Sequence, residues 1–284
     1  MSSPPNITRA LVVGGTSGIG HAIALRIATE SKSSTVIVSG RTKPENLPPN
    51  MEFRQLDASS MRAIKAYTDA YKATQEPKLD LLVLTQGIFT IAGRTETPEG
   101  IDNKMALHYY GRQLLIRELT PALKDDAKVL IVLDAKAGDP SKLNWEDLDL
   151  KKTFSLANAA SHCTSMNDAM VQYFAAQGGN KRHFVHAYPG LVRTNLGRDL
   201  PWYMRGPAEG LARALGATPA ACGANLLRGT YECAAANEKQ GRFWSFINDK
   251  GVAINNKVVW DEGQRQKVVD HTWKIVDEAI GSKN

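Results

Sequence analysis

The sequence predicts an α/β protein: a doubly wound parallel β-sheet with helices on both faces, in a single domain over residues 1–284. Two observations predict this fold. Short apolar segments of strand length alternate with amphipathic segments of helix length along most of the chain. Several of the short segments are apolar nearly throughout, which is typical of strands that are covered on both faces. A length of 284 residues also suits one domain of this kind better than two.

The predicted elements follow one another in regular alternation. The strands are expected at residues 10–13, 35–39, 51–56, 79–84, 128–133, 183–187 and 242–247. The helices are expected at residues 18–30, 59–74, 97–123, 155–177, 218–236 and 261–280. Two segments break the pattern: residues 134–154 form a long polar connection, and residues 190–217 carry Pro, Gly and aromatic residues without a clear period. Long irregular segments at strand ends commonly cover a binding site, so we expect a substrate lid around 190–217.

The composition favours a soluble globular protein that binds an anionic small molecule. The chain is 43% hydrophobic and 23% charged, with a net charge of +6 spread along its length. Because no basic stripe is interleaved with aromatic residues, we expect no nucleic acid as a partner. The three cysteines have no metal-ligand spacing, which predicts a reducing compartment and no metal site. Residues 1–6 do not resemble a signal peptide and no apolar run approaches a membrane span, so we expect a cytoplasmic protein without membrane association.

A glycine-rich segment follows the first predicted strand and runs directly into the first predicted helix. Glycines let the backbone turn sharply and approach a pyrophosphate, while the start of a helix offers free N–H groups and the positive end of its dipole. In this position the segment predicts a Rossmann fold that binds a dinucleotide. The residues expected to contact the dinucleotide are Gly14, Thr16, Ser17, Gly18, Ile19 and Gly20.

These glycines resemble the short-chain dehydrogenase/reductase family, whose motif is G-x-x-x-G-x-G. Val13 stands where the family usually has threonine. The resemblance extends over roughly residues 8–240. It implies that Asp57 binds the adenine and that Gly87 is what remains of the family's Asn-Asn-Ala-Gly segment. It also implies that Val192 and Thr194, in the segment Tyr-Pro-Gly-Leu-Val-Arg-Thr, hold the nicotinamide amide.

Arg41 indicates which nicotinamide cofactor the chain binds. The second predicted strand ends in Ser39-Gly40-Arg41-Thr42, with no carboxylate. An acidic residue there would bind the ribose hydroxyls of NAD and repel a 2′-phosphate, whereas a guanidinium binds a phosphate well. The sequence therefore predicts NADP(H), unless Arg41 is only a solvated surface residue.

The proton-transfer residues of the family are missing. The family uses an asparagine, a serine and a Tyr-x-x-x-Lys pair, in which the lysine lowers the pKa of the tyrosine. None of the eight tyrosines has a lysine four residues later. Alignment on the neighbouring residues places His162 at the tyrosine position, Met166 at the lysine position, Ala135 at the serine position and His108 at the asparagine position.

Three side chains are candidates for replacement chemistry. An imidazole titrates near neutral pH without help, so His162 is a candidate proton carrier. Asp134, after the fifth predicted strand, lies where ligands bind in open α/β sheets and would orient His162 or stabilise a cationic substrate. His108 is the third candidate. Structural roles stay open for all three: His162 filling the space of a tyrosine, His108 packing or capping, and Asp134 capping a loop or pairing with Lys136.

Three functions fit these residues. The first is an NADP(H)-dependent oxidoreductase acting on a substrate that needs little proton transfer, such as an iminium, or using His162 as the proton donor for a ketone. The second is a non-redox isomerase, dehydratase or cyclase that uses His162, His108 and Asp134 as acid–base groups. Family members that lack the tetrad and shape or cyclise fungal natural products favour this alternative and a place in secondary metabolism. The third is a non-catalytic NADP(H) sensor.

Aromatic residues of the expected lid indicate the kind of substrate. Trp202, Tyr203 and Met204 predict a bulky apolar small molecule as the partner. The family resemblance also implies a homo-oligomer, a dimer or tetramer, that associates through the helices expected near 97–123 and 155–177.

Overall fold

The computed structural model describes residues 7–177, 181–194, 197 and 200–282. The strands are β1 (Arg9–Val13), β2 (Thr35–Gly40), β3 (Met51–Gln55), β4 (Leu79–Leu84), β5 (Leu123–Val132), β6 (His183–Ala187) and β7 (Trp244–Ile247). The helices are α1 (Gly18–Glu30), α2 (Met61–Ala73), α3 (Asn103–Met105), α4 (Gly111–Leu119), α5 (Leu156–Ala176), α6 (Trp202–Leu215), α7 (Pro219–Glu238) and α8 (Glu262–Gly281). A π-helical segment, Ala106–Tyr110, joins α3 to α4. This architecture confirms the predicted doubly wound α/β fold.

All seven strands pair in parallel in one sheet, in the order β3-β2-β1-β4-β5-β6-β7. β2 and β3 lie on one side of β1 in the sheet, and β4, β5, β6 and β7 lie on the other side. The connections therefore diverge between β1 and β4, which opens a crevice at the carboxyl ends of these two strands. This crevice is the expected ligand site of an open α/β sheet.

Two apolar cores lie on the two faces of the sheet. Leu82 and Leu84 of β4 face the core beneath α2, α4, α5 and α8, while Val83 faces the core beneath α1 and α7. Both faces of the strand are therefore buried. Burial on both sides explains why the strand segments are apolar throughout and lack the alternation of a half-exposed sheet.

Two predicted starts and one segment expected to be irregular differ clearly from the structure. β5 begins at Leu123 instead of residue 128, because Leu123 pairs with Leu79 across an irregularity in the register. The helix expected from residue 97 begins at Asn103, since the Asp102 side chain accepts hydrogen bonds from the first helical N–H groups. The lid expected to be irregular contains α6. None of the described residues of α6 is buried, and Gly206, Pro207 and Gly210 lie inside it, so the segment has the composition of a loop although it forms a helix.

Helix α8 packs on the same face as α4 and α5. The Tyr109 hydroxyl lies 2.5 Å from the Thr272 hydroxyl, and the Tyr110 hydroxyl lies 2.9 Å from His271 Nε2. Trp273 packs against Phe174 of α5 with ring centroids 6.3 Å apart. α8 therefore covers part of the helical surface through which we expected subunits to associate, and the homo-oligomer stays a prediction. No helix in the described ranges is long and apolar enough to cross a membrane.

Candidate functional site

The glycine segment packs directly against the end of β4. Gly14 and Gly18 adopt positive φ angles of 80° and 57°, in the region that favours glycine. A Cβ atom on Gly14 would lie 2.6 Å from the backbone nitrogen of Gln86, and one on Gly20 would lie 2.3 Å from Thr85 Oγ1. Side chains are therefore excluded at Gly14 and Gly20. The loop has the close approach and the sharp turn that a pyrophosphate site requires.

The start of α1 has no side-chain cap. Ser17 is the N-cap residue, but its hydroxyl accepts no hydrogen bond from the helix, and the first turn contains no acidic residue. In contrast, α2, α5, α7 and α8 are each capped by a side chain, from Ser60, Ser155, Thr218 and Asp261 respectively. The first N–H groups of α1 are thus left for an anion, with the positive end of the helix dipole behind them.

The remaining residues predicted in the glycine segment lie at the crevice. Ser17 is exposed, and Thr16 and Ile19 are half-buried. Thr16 meets the end of β2, because a Cβ atom on Gly40 would lie 2.9 Å from its Oγ1. This contact places the glycine segment next to Arg41, which follows Gly40 and is exposed. The guanidinium of Arg41 forms no ion pair within the described residues, so its charge is available to a phosphate.

Asp57 follows β3 and is exposed at the same edge of the sheet. Its Oδ1 accepts hydrogen bonds from the backbone nitrogen of Ser59 (3.0 Å) and from the Ser59 hydroxyl (2.6 Å). These bonds fix the carboxylate in the turn that leads to α2. An adenine contact at Asp57 stays a prediction.

The segment after β6 reaches the glycine loop. Val192 is buried and pairs with Ala217 in an isolated bridge. Thr194 Cγ2 would lie 3.2 Å from a Cβ atom on Gly18. The structure therefore brings Val192 and Thr194 beside the expected pyrophosphate site, at the carboxyl end of the sheet. Together with the close-packed glycines and the uncapped helix, this arrangement fits a dinucleotide.

His108 lies in the π-helical segment and supports the loop after β4. Its Nε2 accepts a hydrogen bond from the backbone nitrogen of Ile88 at 3.0 Å, and a Cβ atom on Gly87 would lie 2.9 Å from the same nitrogen. Burial, together with the charges of Arg112 and Lys104, lowers the pKa of His108 to about 3. The ring is therefore neutral at physiological pH, and its accepting nitrogen holds a main-chain N–H.

His162 is tied to the connection after β5. Its Nε2 accepts a hydrogen bond from the Asn144 backbone nitrogen at 3.0 Å, and its Nδ1 donates to the Leu148 carbonyl at 3.1 Å. The residue is only 1% exposed, and burial lowers the pKa of its imidazole. Both ring nitrogens are thus engaged by main-chain groups of one segment. This geometry favours a structural role for His162.

The serine and lysine positions of the family hold buried apolar side chains. Ala135 and Met166 are both inaccessible to solvent. Asp134, which precedes Ala135 near the end of β5, is half-buried, and its Oδ1 accepts a hydrogen bond from the Lys136 backbone nitrogen at 3.1 Å. Of the three predicted acid–base residues, Asp134 is therefore the one that carries a charged group at the carboxyl end of the central strands.

Lys136 lies beside a pocket that the sequence did not predict. The pocket has a volume of about 400 Å³, and its lining residues are Lys136, Asn248, Ala253, Ile254, Asn255 and Asn256. The Lys136 ammonium lies 4.1 Å from the centre of the Tyr188 ring and 3.2 Å from Asp249 Oδ1. Such a volume is typical of small-molecule sites. Lys136 follows β5 and the other lining residues follow β7, more than 100 residues later in the chain. The only sequence signal that could have predicted the pocket is that both segments come directly after strands of the sheet.

Two buried charged groups also escaped prediction, and both join strand ends. Arg112 donates to the Val132 carbonyl (2.8 Å) and to the Gln86 carbonyl (2.5 Å), which ties the end of β4 to that of β5. Burial lowers the pKa of its guanidinium to about 9. Lys257, whose ammonium lies 2.5 Å from Asp168 Oδ2, also donates to the Gly138 carbonyl (2.6 Å). Lys257 thus holds the loop after β7 against the loop after β5.

Among the described residues, no three His, Cys, Asp or Glu side chains are grouped to hold a metal ion. The geometry defines the chain as a doubly wound α/β protein whose glycine segment and uncapped helix start fit a dinucleotide. Residues 8–137 match the family model for short chain dehydrogenases. An oxidoreductase of Emericella nidulans is 36% identical over 207 residues, which cover 68% of this chain and 60% of the relative. The matched part of this chain therefore spans less than two thirds of that relative.

An oxidoreductase of Emericella variicolor is 26% identical over 301 residues, covering 93% of this chain and 88% of the relative. The fold is similar to that of the NADPH-bound carbonyl reductase from chicken fatty liver, with a TM-score of 0.60 at 16% identity over 88% of this chain and 99% of that one. The chain is therefore similar to short chain dehydrogenases in sequence, over residues 8–137, and in fold.

Proposed function

We propose that this protein is an NADP(H)-dependent oxidoreductase that acts on a bulky apolar small molecule without a side-chain proton relay. One observation supports the proposal: the residues predicted to bind the dinucleotide adjoin the crevice, while the proton-transfer positions of the family hold buried side chains. Ala135 and Met166 are buried and apolar, and both nitrogens of His162 bind the main chain. The relatives described as oxidoreductases support redox chemistry.

The preference for NADP(H) rests on Arg41. Its exposed guanidinium follows β2 beside the glycine segment, and no carboxylate stands next to it to repel a 2′-phosphate. The carbonyl reductase that shares the fold was crystallised with NADPH, which supports the same choice of cofactor.

The chemistry follows from what the site lacks. Bound NADPH supplies a hydride. A ketone that accepts a hydride also needs a proton. Burial lowers the pKa values of His108 and His162, so both rings are neutral at neutral pH. The lone pair of each Nε2 accepts a hydrogen bond from a backbone N–H group, that of Ile88 and that of Asn144 respectively. An iminium or another conjugated cation accepts a hydride and becomes neutral without a proton. The Asp134 carboxylate stabilises such a positive charge before transfer.

The outer surface of α6 indicates an apolar substrate. Trp202 is 82% exposed and Leu215 is 73% exposed, which is unusual for such large apolar side chains. Both lie on α6, and the residues directly after this helix are tied to the segment after β6 by the hydrogen bond from the Ala217 nitrogen to the Leu191 carbonyl at 2.9 Å. An apolar substrate would cover part of this surface. With relatives from two Emericella species, we propose a role in fungal secondary metabolism.

Replacement of Arg41 with alanine tests the cofactor. We expect R41A to weaken NADPH binding by about 1.5–3 kcal/mol, the scale of a lost charged hydrogen bond, and to leave NADH binding nearly unchanged. Lys43→Ala is the matched control, because it removes the same charge from an exposed position two residues further on. Fluorescence titration of both cofactors measures the effect. Equal weakening for NADPH and NADH would refute the assignment.

Asp134→Asn tests the chemistry. We expect this variant to bind NADPH normally and to lose most of its turnover of cationic acceptors, because the amide keeps the shape of the carboxylate without its charge. Plain ketones should be poor substrates of the wild-type protein, since proton transfer is typically worth about 10²–10⁴ in rate. The assay follows NADPH absorbance and product together. Product formed with no change in NADPH would favour the isomerase, dehydratase or cyclase function instead.

A further inference from the structure

The side chain of Gln86 is buried and has no polar partner. Gln86 directly follows Thr85 at the end of β4 and is 6% exposed. Neither its amide nitrogen nor its amide oxygen forms a hydrogen bond among the described residues. Burying a carboxamide without partners is costly, so native structures seldom contain one without a reason. The resemblance to the family places an alanine at this position, so packing alone does not require the amide.

The main chain of Gln86 is held firmly on two sides. Its backbone nitrogen packs closely against Gly14, since a Cβ atom added to Gly14 would lie only 2.6 Å from it. Its carbonyl accepts the hydrogen bond from the buried Arg112 at 2.5 Å. The residue therefore cannot shift away to relieve its side chain. With its main chain fixed, the unpaired amide gains a partner only from a group that is brought to it or through rotation of its own side chain.

The sheet order shows which part of a bound dinucleotide comes near Gln86. The pyrophosphate site is at the start of α1. Arg41 and Asp57, predicted to bind the adenosine half, follow β2 and β3, on one side of β1. Gln86 follows β4, on the other side of β1 and next to the glycine segment. The first unit of the other half of the dinucleotide after the pyrophosphate is the ribose that carries the nicotinamide.

We propose that the carboxamide of Gln86 binds the hydroxyl groups of the nicotinamide ribose of NADP(H). A carboxamide offers both a donor and an acceptor, which complements a pair of sugar hydroxyls. This assignment rests on the proposed NADP(H) function. The proposal adds a side-chain contact with the cofactor after β4, where the family resemblance names only Gly87, which has no side chain.

Three ligands that differ by one unit test the proposal through binding alone. NADPH carries both the ribose and the nicotinamide, 2′-phospho-ADP-ribose lacks the nicotinamide, and 2′-phospho-ADP keeps the pyrophosphate but lacks both. We expect Gln86→Leu to weaken NADPH and 2′-phospho-ADP-ribose by about tenfold, as expected for two neutral hydrogen bonds, and to leave 2′-phospho-ADP unchanged. Calorimetric titration measures all three. Gln86→Ala, with the residue of the family, repeats the test if the leucine does not fit.

The thermal stability of the free protein gives a second readout. Removing an unpaired buried amide should leave the Tm of Gln86→Leu equal to or above that of the wild type. Gln113→Leu is the control: Gln113 is also buried, but its Nε2 donates to Asn167 at 2.8 Å, so this variant should lower the Tm and bind all three ligands normally.

Several results would overturn the proposal. If Gln86→Leu binds all three ligands with unchanged affinity, Gln86 does not contact the ribose. If it loses the same affinity for all three, the substitution has distorted the glycine loop. A loss for NADPH alone would assign the amide to the nicotinamide ring and refute the ribose contact. If the wild-type protein binds none of the three, the proposed NADP(H) function itself fails, which separates that failure from failure of the Gln86 contact.

Discussion

Replacement of His162 with alanine distinguishes a structural histidine from a proton carrier. In the structure, the ring accepts a hydrogen bond from Asn144 and donates one to Leu148, and it is buried under the connection after β5. The two lost hydrogen bonds are worth about 2 kcal/mol together, and the cavity left by the ring adds about 1–2 kcal/mol. We therefore expect H162A to lower the free energy of unfolding by about 3–4 kcal/mol.

Thermal and urea denaturation measure this loss. At about 2.1 cal/mol/K of unfolding entropy per residue, a chain of 284 residues should lose about 5–7 °C in Tm. Affinity for NADPH should stay close to that of the wild type, because no contact of His162 involves the glycine segment. His271→Ala is the comparison variant: within the described ranges its Nε2 pairs with the Tyr110 hydroxyl alone, at 2.9 Å, and its half-buried ring leaves a smaller cavity, so about 1–2 kcal/mol should be lost.

The opposite pattern would refute this reasoning. If H162A kept the Tm of the wild type but lost turnover, together with a titration near neutral pH in its rate profile, His162 would be the proton carrier. The hydride-only chemistry proposed above would then be wrong for this protein.

Two further predictions concern stability. Because burial lowers the pKa of His108 to about 3 from an unfolded value near 6.5, its contribution is fully present above about pH 6.5 and is lost as the pH falls toward 3. Of the stability that is lost between pH 8 and pH 5 in urea unfolding, His108 should contribute about 2 kcal/mol, beside a similar share from His183, whose pKa burial also lowers to about 3. His108→Asn should remove the His108 share; an unchanged pH dependence in the variant would contradict it. Gly138→Ala should destabilise the fold severely, since its Cβ would lie 2.1 Å from the buried Asp168 Oδ2, whereas Gly93→Ala, with open space around it, should keep the wild-type Tm; equal Tm values for both variants would show that Asp168 moves aside.

The fold followed from local patterns in the chain. Strands that are buried on both faces consist mostly of apolar residues, so segments such as 79–84 are recognised in the sequence as strands. Their pairing in the sheet does not have to be known for this prediction. The exception is α6: Pro207 and two glycines interrupt its sequence, and because these residues are typical of loops the segment was expected to be irregular. Likewise, the helix begins at Asn103 because Asp102 caps it. The sequence pattern suggested a helix from residue 97 onward, so this cap was not recognised as the start.

The candidate site divides along the same line. The sequence by itself determined that a glycine turn precedes a helix, that Arg41 stands where an acid would select NAD, and that no tyrosine has a lysine four residues later, because each of these depends on spacing along the chain. Only the tertiary structure decided that His162 is bound by Asn144 and Leu148, that Lys257 pairs with Asp168, and that Gln86 has no partner. These facts concern groups far apart in the chain. A residue type states which hydrogen bonds a side chain is able to form, but the packing of distant elements decides which of them it forms.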